Sequence, residues 1–195
     1  MKAYYHARAR EYDDWWLGHN LYADKHRPGW DEKRAQLERW IEDLQPRHTL
    51  DVACGTGFMT RRLRGDVTGL DQSDAMLDVA REQVPGATFV QGDALELPFD
   101  DGAFERIFSS YFYCHLEEDD RVRFLAEARR VAPELVIVGS RLQPHEQAER
   151  WDERVLKDGT RWRVFKRMFD PEALARELDG RALHQSHYFV MACSP

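Results

Sequence analysis

The segment TLDVACGTGF, Thr49 to Phe58, decides the fold. Leu50 and Val52 flank Asp51 in a short apolar run that reads as a buried strand, and Gly55 and Gly57 stand where the chain must turn sharply into TRRLRG. Two glycines so near a strand end let the backbone approach a ligand closely. Further on, Asp71 closes a second strand-like run, Val67 to Leu70. A carboxylate there can accept hydrogen bonds from both hydroxyls of a ribose, so the two strand tips together point to a nucleoside-containing ligand.

A dinucleotide site would need G-x-G-x-x-G, but Gly55-Thr56-Gly57 continues as Phe58-Met59-Thr60, without the third glycine. What stands is Asp51-x-Ala53-x-Gly55-x-Gly57, which resembles the first motif of the class I S-adenosylmethionine-dependent methyltransferases. Three later segments carry the same resemblance in order. Gly69-Leu70-Asp71-Gln72-Ser73 is similar to that family's ribose-binding strand end, Gln91-Gly92-Asp93-Ala94 with Leu97-Pro98-Phe99 to its adenine-edge segment, and Phe104 to Ser109 to its fourth strand. The ubiquinone/menaquinone-type small-molecule enzymes are the nearest resemblance. It implies S-adenosyl-L-methionine as cofactor and an α/β fold: a doubly wound, mostly parallel seven-stranded Rossmann-like sheet with an N-terminal helical lid. Cofactor contacts would come from Asp51, Ala53, Gly55, Thr56 and Gly57 of the first motif. Asp71, Gln72 and Met76 would follow, then Gly92, Asp93 and Ala94, with Ser109 at the tip of the fourth strand.

Composition sets the bounds. At 195 residues, 43% of them hydrophobic, the chain is long enough for one domain with a sizeable core. We expect residues 1–46 to form the lid and lead-in, 47–142 the cofactor-binding core, and 143–195 a variable acceptor-side segment with the terminal strands. A net charge of -7 argues against a broad nucleic-acid surface, which needs a basic face. No apolar run approaches the roughly 20 residues of a membrane span, and no charged-then-apolar leader opens the chain, so a cytoplasmic protein without a membrane partner is expected, as monomer or homodimer. Cys54, Cys114 and Cys193 show no C-x-x-C and read as reduced, buried thiols rather than a disulfide frame or a metal site.

Along the chain, Tyr5, Tyr12, Trp15 and Trp16 fall near helical spacing before Gly18. Such a stripe either packs an N-terminal helix onto the sheet edge or closes as an aromatic lid over a cationic sulfonium and its acceptor. The resemblance favours the lid, because many relatives carry a Tyr-Asp that covers the cofactor, and Tyr12-Asp13 sits similarly. Leu37, Trp40, Ile41 and Leu44 mark a helix from Asp31 to Pro46. Met59 to Arg64 reads as a short helix, and Ser73 as the cap of the next. A third strand is expected over Ala87–Val90. Asp93 beyond it either meets the adenine amino group or caps the turn at Leu97-Pro98.

Ser109 to His115 should lie at the carboxyl end of the fourth strand, where the methyl group would sit. Neither the Asp/Asn-Pro-Pro-Tyr signature nor a Pro-Cys nucleophile is present there, which argues against base methylation. His115, with an ordinary pKa near 6.5, is the candidate general base or substrate orienter; a structural histidine is the other reading. Tyr4, Tyr5, Trp15, Trp16, Tyr111, Phe112 and Tyr113 would line a pocket for a small, partly apolar acceptor methylated at oxygen, nitrogen or carbon. A helix over Glu117–Val131 and a strand over Glu134–Gly139 follow. After residue 143 the first part looks helical; Lys157-Asp158-Gly159-Thr160 then turns the chain, as a hairpin or a broken helix. Arg161, Arg163, Lys166 and Arg167 form a cationic cluster that either holds an anionic acceptor group or is a solvated face. Asp170-Pro171 opens a helix, and Tyr188–Ala192 a last, antiparallel strand. A silent cofactor-binding protein, a protein or RNA methyltransferase and a dinucleotide oxidoreductase are the competing functions.

Overall fold

The computed structural model describes residues 1–23 and 25–195. Strands β1 (Thr49–Val52), β2 (Val67–Asp71), β3 (Thr88–Gln91), β4 (Arg106–Ser110) and β5 (Glu134–Ser140) are all parallel neighbours. With β8 (Arg181–Gln185) and β9 (Phe189–Cys193) they form one seven-stranded sheet in the order β3-β2-β1-β4-β5-β9-β8. β9 runs antiparallel to both of its neighbours. The doubly wound, mostly parallel sheet expected from the strand-tip motifs is therefore the fold. Successive strands leave β1 first toward β3 and then, through β4, toward the opposite edge. That reversal opens a crevice beyond the carboxyl ends of β1 and β4.

Burial explains why the central strands are near-continuous apolar runs. All four β1 residues are buried, and Leu135, Val136, Ile137 and Val138 of β5 are at most 1% exposed, because helices cover both faces. Helix α3 (Trp30–Glu42) buries Leu37 and Ile41, α4 (Asp74–Gln83) buries Met76, Leu77 and Ala80, and α5 (Glu118–Val131) buries Phe124, Ala128 and Val131. Ser73 caps α4 by accepting the Met76 amide. Asp170 caps α6 (Pro171–Glu177) through the Glu172 and Ala173 amides.

Four local expectations change. The N-terminal aromatic stretch is two helices, α1 (Lys2–Arg8) and α2 (Tyr12–Leu17), joined by a 3-10 turn over Ala9–Glu11. Between Met59 and Arg64 only a 3-10 turn forms, Thr60–Arg62, because Gly65 and the descent into β2 leave no room for a longer helix. The stretch expected to be helical after residue 143 contains strand β6 (Glu149–Val155), which pairs residue for residue with β7 (Arg161–Arg167) across the turn at 157–160. Its good helix formers yield to cross-strand pairing, with exposed and half-buried residues alternating at period two. Finally, the polar strand β8 had no apolar signal to announce it. It exists because β9 offers it an edge.

Candidate active site

The turn after β1 is built by backbone conformation. Gly55 and Gly57 take φ of 57° and 79°, the left-handed region that glycine enters freely, and Ala53 joins them at 59°. Asp71, at the tip of β2, fastens this turn: its Oδ2 accepts the Gly55 N–H at 3.0 Å and its Oδ1 the Ser73 N–H at 2.9 Å. Burial raises the Asp71 carboxyl above its usual range, with the backbone donors pulling it back. A carboxylate has about four lone-pair positions, so two stay available toward the crevice.

Beyond the strand tips lies a chamber of about 470 Å³. One side is formed by Ala53, Gly55, Asp71 and Gln72, continued by Gly92, Asp93 and Ala94 from the end of β3. The lining is otherwise largely aromatic: Tyr4, Tyr5 and Tyr12 from the N-terminal helices, and Tyr111, Phe112 and His115 after β4. The β6–β7 hairpin adds Trp151, Trp162, Val164 and Phe165. Tyr111 holds φ of 60°, an unusual place for a bulky residue, and its ring packs edge-on against Trp15 and Trp16 at 5.2 Å. Of the five described non-glycine residues at positive φ, Asn20, Ala53, Tyr111, His145 and Asp179, two, Ala53 and Tyr111, line the chamber.

Several expected contacts fall elsewhere. Asp51 does not line the chamber; it is 2% exposed and accepts the Thr60 hydroxyl at 2.6 Å, so it fixes the loop from behind. Burial, and then repulsion from Asp71, push its carboxyl up to about 7 against the Thr60 bond. Thr56 points away and donates to Asp13 at 2.6 Å, tying the N-terminal segment to the glycine turn. Gly57 allows close packing of α4, where an added Cβ would lie 3.0 Å from Val84. Met76 is core, and Ser109 donates to the Val52 carbonyl at 2.9 Å while Ser110 takes the chamber side, as strand alternation requires. Trp16 is stacked on Phe58 in the core, and Tyr113 donates to Glu177 and stacks on Phe169. Trp15 borders a smaller adjoining cavity instead.

Asp93 accepts the Leu95 amide on Oδ1 at 2.9 Å, closing the turn after β3, and the residue also borders the chamber. His115 departs from an ordinary histidine. Its Nδ1 lies 2.7 Å from the Phe165 carbonyl, which can only accept, so Nδ1 carries the hydrogen and Nε2 keeps a lone pair. Burial, followed by the nearby Lys166 charge, pushes its pKa down to about 3. It is neutral at ordinary pH and a weak base, contrary to the expectation of a pKa near 6.5.

Residues 50–134 match the family model described as the methyltransferase domain. Across nearly its whole length the chain is similar to the solved DhpI–SAM–HEP complex, at 25% identity and a TM-score of 0.77, covering 99% of this chain and 95% of that one. Residues 50–134 of this chain thus carry the methyltransferase domain. The DhpI–SAH complex is 27% identical, with a TM-score of 0.72 and coverage of 98% and 92%. Among curated proteins, the methyltransferase domain is 37% identical over 109 residues to demethylmenaquinone methyltransferase of Thermotoga maritima, covering 53% of this chain and 47% of that protein. Phthiotriol/phenolphthiotriol dimycocerosates methyltransferase of Mycobacterium tuberculosis is 36% identical over 121 residues, or 56% and 43%. The chain spans about half the length of these curated relatives. Among its described residues, no helix is long and apolar enough to cross a membrane.

The chamber's lining, a glycine turn with Asp71, Asp93 and aromatic rings, is of the chemistry that a nucleoside sulfonium would need. A Cβ on Gly55 would lie 3.8 Å from the Tyr12 ring, an ordinary contact, so glycine is required there by its φ of 57° rather than by space. The hairpin residues are what sequence reasoning left out of the site. Trp162 and Phe165 interleaved with cations were the available signal, but their position over the strand tips follows from the fold alone.

Proposed function

We infer that this domain transfers the methyl group of S-adenosylmethionine to a small, partly apolar or aromatic acceptor. One observation carries the reading: a single chamber joins the acid-tipped, glycine-lined strand ends to a wall of tyrosine, tryptophan and phenylalanine. When bound, the cofactor supplies an electrophilic methyl group on a sulfonium. Asp71 would take the ribose hydroxyls on its two uncommitted lone pairs, held still by the Gly55 and Ser73 amides. Asp93 stands at the adenine side. Tyr5, Tyr12 and Phe112 exclude water and turn aromatic surface toward positive charge, which such faces attract. His115, through its free Nε2, orients an acceptor hydroxyl or N–H rather than stripping a proton from it. Holding nucleophile, methyl carbon and sulfur in line supplies the acceleration.

Calorimetric titration with S-adenosylhomocysteine beside NAD tests the cofactor, and transfer of a labelled methyl group to phenols, quinols and amines tests the acceptor class. Binding of S-adenosylhomocysteine with labelling of at least one small molecule is expected. Binding of NAD alone, cofactor binding with no transfer to any small acceptor, or labelling only of a peptide or RNA would overturn the reading.

A further inference from the structure

Beside the main chamber lies a smaller cavity of about 40 Å³. Tyr5, Tyr12, Tyr111 and His115 border both spaces, so the two are neighbours across a shared wall of side chains. Their charged linings differ in balance: four carboxylates against Arg163 in the larger, cations alone in the smaller. Carboxylates of Asp71, Asp93, Glu117 and Asp120 border the larger chamber, which suits a cationic donor. Around the smaller one stand Arg8, Arg154 and Lys166, with no carboxylate among the lining residues.

These cations are poorly compensated. Arg8 is 7% exposed; its Nη1 donates to the Tyr4 hydroxyl at 2.6 Å, and its Nε is buried with no partner. The guanidinium otherwise lies over the rings of Tyr12 and Tyr4, at 4.7 and 5.2 Å. Lys166 is half-buried, with its ammonium 5.5 Å from the centre of the Tyr111 ring, and it forms no ion pair with any described residue. Arg154 does have a partner, Asp152, but that one carboxylate also accepts from Arg150. Burial, and the Arg154 charge, hold the Lys166 ammonium below its usual range. Buried positive charges without a counter-charge destabilise a fold, and an unpaired donor aimed into a cavity invites an acceptor.

We propose that the methyl acceptor carries a compact oxyanion, a carboxylate or phosphoryl group, seated in this cavity between Arg8 and Lys166. The volume suits a head group and no more, since about 10–15 Å³ of such space is needed for each water. The rest of the acceptor extends past Tyr5, Tyr111 and His115 into the aromatic chamber. The hydroxyls of Tyr4, Tyr12 and Tyr111 are further donors to the anion. The sequence reading of a cationic cluster at Arg161, Arg163, Lys166 and Arg167 is thereby narrowed. Arg167 pairs with Glu177 and Arg161 with Glu153, while Arg163 lies over the Trp151 ring and borders the larger chamber, so of the four only Lys166 borders the small cavity. This proposal rests on the methyltransferase reading above and names the chemistry of its acceptor.

The test uses the full chain. Inorganic phosphate and acetate are titrated by calorimetry into ligand-free protein and into protein saturated with S-adenosylhomocysteine. Wild type is compared with Lys166→Met, Lys166→Arg, Arg8→Gln and the exposed control Arg161→Met. At least one anion should bind wild type, and its identity separates phosphoryl from carboxylate acceptors. Lys166→Met and Arg8→Gln should each weaken that binding by about tenfold or more, as loss of a desolvated charge-assisted contact does. Lys166→Arg should recover most of it, and Arg161→Met should change nothing. S-adenosylhomocysteine should still bind Lys166→Met, which shows that the variant is folded. The proposal is overturned if neither anion binds wild type, if all five proteins bind alike, or if Lys166→Arg loses as much as Lys166→Met. Failure of wild type to bind S-adenosylhomocysteine would instead remove the methyltransferase reading, and the ligand-free titrations would still decide whether the cavity takes an anion.

Discussion

Replacing Asp51 by Asn should make the stability of this protein much less dependent on pH. Asp51 sits in β1 between Gly69 of β2 and Phe108 of β4, and its carboxyl is pushed from an ordinary 3.8 up to about 7. The native protein therefore keeps a proton on it that the unfolded chain has already released. From this group alone, stability is fully present below pH 3.8 and is lost as pH rises toward 7, by about 1.4 kcal/mol per unit. Over that rise the loss is on the order of 4 kcal/mol, a large share of a typical domain's stability. Asn retains an oxygen to accept the Thr60 hydroxyl and cannot ionise. Urea unfolding of both proteins at pH 5, 6, 7 and 8, followed by tryptophan fluorescence, measures the difference directly. Asp51→Asn should gain on the order of 2 kcal/mol on wild type between pH 5 and pH 7, then level off. A difference that stays constant with pH, or that shrinks as pH rises, would refute both the buried protonated carboxyl and its role as a loop anchor.

Asp71→Ala should weaken S-adenosylhomocysteine binding by about 100-fold, because the ribose acceptors vanish and the Gly55 and Ser73 amides lose their partner; calorimetry showing unchanged affinity would remove Asp71 from the site. For His115→Gln, the pH–rate profile should keep the wild-type shape between pH 5 and 8, since a histidine held near 3 does not titrate there. A wild-type limb near pH 6.5 that disappears in the variant would restore the general-base role. Ser73→Ala should cost about 1 kcal/mol in thermal or urea unfolding through loss of the α4 cap, with no more than a small effect on catalysis. An equal stability for the two proteins would mean that the cap contributes nothing.

How far the site could be read in advance depends on where each residue stands. Gly55, Asp71 and Asp93 were legible because the ends of parallel strands impose their own chemistry: a turn needing left-handed backbone, and an acid facing the crevice. Residues beside them were not. Ser109 and Ser110 are identical in type, and only the alternation of β4 against its neighbours sends the first to the Val52 carbonyl and the second to the chamber. Trp15 and Trp16 separate in the same way around α2, one bordering a cavity and the other stacked on Phe58. Met76 and Tyr113 had plausible spacing but lie on the inward side of their elements. The hairpin about 157–160 was one of two readings and is the one that forms; what misled was the stretch before it, rich in helix formers, whose preference cross-strand pairing overrode.

By itself the sequence determined the five parallel strands, the glycine turn and the acids at the strand tips. Those are local consequences of apolar period and of backbone conformations that few residues adopt. Tertiary structure alone decided the environment of each group. Burial lowers the basicity of His115 and keeps a proton on Asp51, because charge is costly away from water. Folding also brings Arg8, from the first helix, and Lys166, from the seventh strand, to one small cavity. No pattern along the chain links those two residues, since they become neighbours only when the hairpin packs over the N-terminal helices.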